Sequence, residues 1–68
     1  MRRVASNIVI IGTTVLHQAV VELYDGRVVN YYEFRDELPM TEWLGGTINI
    51  ARDADGILRA SHNGTPLE

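Results

Sequence analysis

Val15-Leu16-His17-Gln18-Ala19-Val20-Val21-Glu22-Leu23-Tyr24-Asp25-Gly26-Arg27-Val28-Val29-Asn30-Tyr31-Tyr32-Glu33-Phe34 is the stretch that decides the fold. Two runs rich in β-branched and aromatic residues flank Asp25-Gly26. A type I′ turn needs positive φ at both central residues, which Gly adopts freely and Asp tolerates. The pair therefore predicts a two-residue hairpin with Tyr24 opposite Arg27. Carried outward, that register pairs Leu23 with Val28, Val21 with Asn30, Ala19 with Tyr32 and His17 with Phe34. These pairs share the more apolar face and make it the core face. Asn30 is its misfit, which places it at the rim or calls for a bulge after Val28. The other face pairs Glu22 with Val29, Val20 with Tyr31 and Gln18 with Glu33. Its apolar members invite cover from a second layer or a partner.

Working outward, Val4 to Ile11 reads as a first strand, with Ile8-Val9-Ile10-Ile11 a continuous β-branched run that suits cover on both faces. Gly12-Thr13-Thr14 breaks it. After the hairpin, Arg35 to Met40 is a polar, Pro-bearing connection. Thr41-Glu42-Trp43-Leu44 reads as a single helical turn capped by Thr41, or as a short extended piece, and Gly45-Gly46 ends it. Thr47 to Ala51 is a fourth strand. Asp53-Ala54-Asp55-Gly56 has the pattern of a type I turn with a bulge, and Ile57 to Ala60 is a fifth strand. The expectation is an all-β domain of about five short antiparallel strands forming a small barrel or sandwich. Residues 1–60 make a single domain. Residues 61–68 read as a polar, frayed C-terminal tail, with Leu67-Glu68 resembling a cloning remnant.

Composition narrows the function classes. A 68-residue chain buries only about 60% of its unfolded surface, so its core is marginal. Its 46% hydrophobic content is that of a globular protein. With no Cys, disulfides and thiolate chemistry are excluded, and oligomerisation or tight packing must supplement the core. The net charge is −3, with dispersed Arg as the only cations, which argues against nucleic acid and an anionic membrane as partners. No apolar stretch reaches the roughly 18 residues of a membrane span, so a cytoplasmic setting is expected.

The chemistry-bearing residues read mostly as structure. Asp53-x-Asp55-Gly56 has the opening of a calcium loop but lacks the distal Glu, so a turn is the better reading. His17 and His62 lack the paired spacing of a zinc site, and no metal or other cofactor is expected. There is no nucleophile elbow and no glycine-rich phosphate cradle. Glu22, Glu33, Glu37 and Glu42 read as a solvated face that resists edge pairing. Trp43 reads as a lid over one barrel end, or as an exposed hot-spot aromatic.

Two resemblances accompany these readings. Met1-Arg2-Arg3-Val4-Ala5-Ser6, Val20-Val21-Glu22-Leu23 with Gly26-Arg27-Val28-Val29, and Thr41-Glu42-Trp43-Leu44-Gly45-Gly46 resemble a group of small bacterial β proteins of similar length. That resemblance implies a fold and no activity. Leu23-Tyr24-Asp25-Gly26-Arg27-Val28 and Leu44-Gly45-Gly46-Thr47-Ile48 are similar to the small β domain that opens amidohydrolase-type enzymes. The paired-His metal motif and the catalytic barrel of those enzymes are missing, so their activity does not carry over.

The leading expectation is a non-enzymatic interaction module, self-associating as a homo-oligomer or binding another protein, with Val20, Val29, Tyr31 and Trp43 as contact residues. The alternative is an accessory or small-ligand-binding domain with a pocket lined by His17, Tyr32 and Trp43. A minimal hydrolase pairing His17 with a carboxylate is a third reading.

Overall fold

A computed structural model describes residues 1–36 and 40–68. Seven strands form one open, mixed sheet: β1 (Arg2–Ile11), β2 (Thr14–Tyr24), β3 (Arg27–Glu33), β4 (Glu42–Trp43), β5 (Thr47–Arg52), β6 (Leu58–His62) and β7 (Thr65–Pro66). The order across the sheet is β3-β2-β1-β5-β6-β7, and β4 pairs with β1 beside β5. The all-β class holds, but the sheet is neither a closed barrel nor a sandwich. It curls until Arg59 on β6 donates to the Gly26 carbonyl at 2.7 Å, and among the described residues no ladder closes that seam.

Asp25 (φ 53°) and Gly26 (φ 73°) both adopt positive φ, as a type I′ turn requires. Leu23 faces Val28 and Tyr24 faces Arg27. The register then slips by one residue, so Glu22 faces Asn30, Val21 faces Tyr31 and Val20 faces Tyr32. The bulge after Val28 moves Asn30 off the core face and beside Glu22, which removes a polar misfit from the apolar layer.

Three expectations need correction. The pairing is not all antiparallel, since β1 runs parallel to both β4 and β5. The helical-turn reading of residues 41–44 gives way to the extended one, since Glu42 and Trp43 form β4 opposite Val4 and Ala5 and extend the β1 edge. The tail from residue 61 is instead the second half of β6, the turn at Asn63-Gly64 and β7. Asn63 (φ 53°) and Gly64 (φ 81°) repeat the positive-φ pair. Leu67 donates its N–H to the Ala60 carbonyl at 2.8 Å and packs against the core. Of the connection expected from Arg35 to Met40, residues 37–39 lie outside the described residues.

The core joins Val4, Val9, Ala19, Val21, Leu23, Val28, Ile48, Ile50 and Ala60. Strict alternation along β1 cannot put both Val4 and Val9 on one face, since they are five residues apart. The phase change sits at Gln18, whose φ is 53° in the middle of β2. On one side of it Ala19, Val21 and Leu23 enter the core; on the other, Leu16 does. β1 changes phase opposite, at Asn7. Ser6, fully buried, donates its hydroxyl to the Ile8 carbonyl at 2.8 Å and so satisfies its polar atom within this kink.

Candidate functional site

The register places Trp43, Val20 and Tyr32 on one surface, whereas Tyr31, expected beside Val20, lies opposite Val21 on the core face because of the bulge. Residues directly opposite one another on neighbouring strands share a face. Trp43 faces Ala5, Ala5 faces Val20, and Val20 faces Tyr32. These four make a row across β4, β1, β2 and β3 on the face opposite the core. Three strand spacings put the Trp43 and Tyr32 Cα atoms about 14 Å apart. Ala5 and Val20 form the floor between them, and both are buried outside the core cluster.

Trp43 is 56% exposed, and its backbone is held along β1. β4 pairs with β1, and Leu44 donates its N–H to the Ala5 carbonyl at 2.8 Å. Trp43 is therefore a surface aromatic on a tethered strand, not a lid. Its indole Nε1 lies over Gly45, 3.6 Å from where a Cβ would stand. Gly45 and Gly46 both take positive φ. This bend steps the chain from β4 to β5, and its bonds come from elsewhere: Gly46 N–H to the Asn7 side chain at 3.0 Å, Ile8 N–H to the Gly46 carbonyl at 3.1 Å, and His62 Nε2 to the Gly45 carbonyl at 2.9 Å. His62 thus serves this bend.

Beside the row lies a charged cluster that the hairpin register alone does not reveal. Arg3 Nε donates to Glu22 Oε2 at 2.9 Å, and the Tyr32 hydroxyl donates to the same oxygen at 3.2 Å. The Glu22 side chain is only 13% exposed. The bond from Arg3 holds the Glu22 carboxyl below its ordinary range. Burial, and then Glu22 itself, push the Tyr32 phenol up. The signal for this cluster was present in Gly12-Thr13: folded as a two-residue turn, it places Arg3 opposite Glu22, as observed.

The remaining candidates divide. Val29 is 53% and Tyr31 39% exposed, both on β3 at the sheet edge. Val20, expected as a contact residue, is fully buried, because it forms the floor of the row rather than its rim. His17 lies opposite Ile8 on β2, and its backbone N–H, not its imidazole, meets the Glu33 carboxylate at 2.9 Å. One cleft is lined by Met1, Arg2, Leu23, Tyr24, Asp25 and Glu68, and another by Asp25, Gly26, Arg59 and Glu68. Neither is lined by His17, Tyr32 or Trp43.

Asp53 organises the β5–β6 turn. Its Oδ1 accepts from the N–H groups of Asp55 and Ile57 at 2.9 and 3.0 Å, and its Oδ2 accepts from Arg59 at 3.0 Å. The bonds from Ile57 and Arg59 depress its carboxyl. With Gly56 N–H bonded to the Asp53 carbonyl at 3.0 Å and Gly56 at positive φ, this is the type I turn with bulge that the sequence predicts.

Among the described residues no three His, Asp or Glu side chains gather as a metal site, and no helix is long and apolar enough to cross a membrane. No family model matches the chain, and neither a curated protein nor a solved structure is significantly similar to it.

Proposed function

We propose that this chain is a non-enzymatic interaction module that self-associates through the face carrying Trp43, with Val29 at the neighbouring β3 edge and Tyr31 on that edge's other face. The observation that carries this reading is Trp43 itself: a large aromatic, more than half exposed, on a strand anchored to the centre of the sheet. Rigid Trp and Tyr side chains give large contact area with little loss of conformational freedom on docking, which is why they dominate interface energetics. The charged groups nearby already serve structure, Glu22 with Arg3 and Tyr32 and Glu33 with the His17 backbone. A net charge of −3 favours a protein partner over a polyanion.

Light scattering over a concentration series tests the reading. The expected result is a dimer at tens of micromolar, a blue shift of Trp emission as it forms, and loss of the dimer in Trp43→Ala. A monomer at every concentration, with emission unchanged, removes self-association from the proposal.

A further inference from the structure

β3 is an outer strand of the sheet, and its sequence Arg27-Val28-Val29-Asn30-Tyr31-Tyr32-Glu33 contains neither Pro nor Lys. An edge of this composition is a template for pairing with another strand. The other end of the strand order is β7, two residues long and carrying Pro66, which blunts it by length and by a missing donor.

Successive residues of an antiparallel strand direct their backbone groups alternately toward and away from the partner. Phe34 N–H donates to the Gln18 carbonyl on β2 at 2.9 Å. By alternation the amides of Tyr31 and Glu33 point to the open side. Tyr31 N–H does not stay open: the Asn30 side-chain oxygen accepts it at 2.9 Å. Asn30 faces Glu22 across the ladder, and its side chain adds slightly to the lowering of the Glu22 carboxyl. Where β3 stops, β2 continues to Thr14, and its exposed His17 N–H is taken by the Glu33 carboxylate at 2.9 Å. At the opposite end, Arg59 occupies the Gly26 carbonyl at 2.7 Å, and Asp53 holds Arg59 in place. Three side chains from separate positions thus fill main-chain groups along one margin, from Gly26 through Tyr31 to His17.

We propose that Asn30 and Glu33, with Arg59 at the turn, are edge guards: they occupy the Tyr31 N–H, the His17 N–H and the Gly26 carbonyl along the margin formed by β3 and the end of β2, and keep β3 from pairing with β3 of a second copy. The outer face stays free to dock while the edge is closed to open-ended sheet growth. The inference does not depend on the docking reading, because it concerns backbone groups rather than the exposed aromatics.

The experiment measures amide exchange by NMR and mass by light scattering. In the unaltered chain the Tyr31 and His17 amides should exchange more slowly than the Val15 amide, which lies on the same margin and has no side-chain acceptor among the described residues. Asn30→Ala should speed Tyr31 exchange, and Glu33→Ala should speed His17 exchange, by roughly three- to tenfold, the range for loss of one hydrogen bond. Glu33→Gln keeps an acceptor and should restore His17 protection. In a Trp43→Ala background, where face docking is removed, Asn30→Ala with Glu33→Ala should give dimers or larger species at tens of micromolar. If that variant keeps the mass of Trp43→Ala alone, or if Tyr31 and His17 exchange as fast as Val15 in the unaltered chain, the guard assignment is overturned. The exchange comparison on the unaltered chain decides by itself should the multiple variant not fold.

Discussion

Gly26 meets two demands at one position. Its φ of 73° lies in the left-handed region, and a Cβ there would stand 3.0 Å from Arg59 Nη1. Gly26→Ala should lower stability by about 1–2 kcal/mol from backbone strain alone, with a fall in Tm of several degrees by circular dichroism. Gln18 presents the converse. It adopts φ 53° without being Gly, Asn or Asp, so Gln18→Gly should relieve strain and raise stability by up to about 1 kcal/mol, checked by the same melt. Nothing in the sequence marks Gln18, because Gln has no special tolerance for this backbone. The positive φ at Asp25-Gly26 was legible because those residue types are the ones that tolerate it. The Glu22 carboxyl is lower in the fold than in the unfolded chain, chiefly through Arg3. A group so depressed adds stability that is complete above its unfolded pKa and is lost as pH falls through its folded value. Denaturant melts from pH 6 downward should show that loss begin in the ordinary Glu range and continue below it. Glu22→Gln should flatten that part of the curve and leave the Asp53 contribution in place.

Among elements, hairpins were readable and the parallel pairings were not. Turn residues encode β2–β3 and β5–β6 locally, and the β3 bulge was legible as an Asn that did not fit its face. β4 has two residues and no periodicity to detect; it is a strand because β1 offers an edge. β7 is likewise set by Asn63-Gly64 and by pairing with β6. The site was legible in its residue types more than in its geometry. Trp43 and Tyr32 share a face as a pocket or contact surface requires, whereas Val20 lies under it, since the bulge that shifts β3 also changes Val20's partner from Tyr31 to Tyr32. The β5–β6 turn hangs on one carboxylate. Asp53→Ala removes two backbone bonds and the anchor of Arg59 together. It should destabilise the domain by about 1–3 kcal/mol, and hydrogen exchange should rise at Ile57 as well as across the seam near Gly26.

As a whole molecule the chain has a radius of gyration of 10.9 Å, close to the value of about 11 Å for a compact domain of this length. Its topology is demanding for that size. β1 lies at the centre of the sheet, with β2 on one side and β4 and β5 on the other, and the parallel contacts join residues such as Ile11 and Ile50. Such non-local pairing closes long loops before it is rewarded. Refolding should therefore take milliseconds to seconds, as in other sheet proteins rich in distant contacts, measured by stopped-flow Trp fluorescence.

The central place of β1 also governs how the chain emerges from a ribosome. β1 and β2 can pair almost as soon as they are made, but the second edge of Ile8–Ile11 must wait for Thr47–Ile50. At roughly 5–20 residues per second of synthesis, the most β-branched run in the protein stands unpaired on one side for several seconds in every round of translation. In that interval its apolar edge is open to chaperones and to neighbouring nascent chains, before the strand meant to cover it has been made.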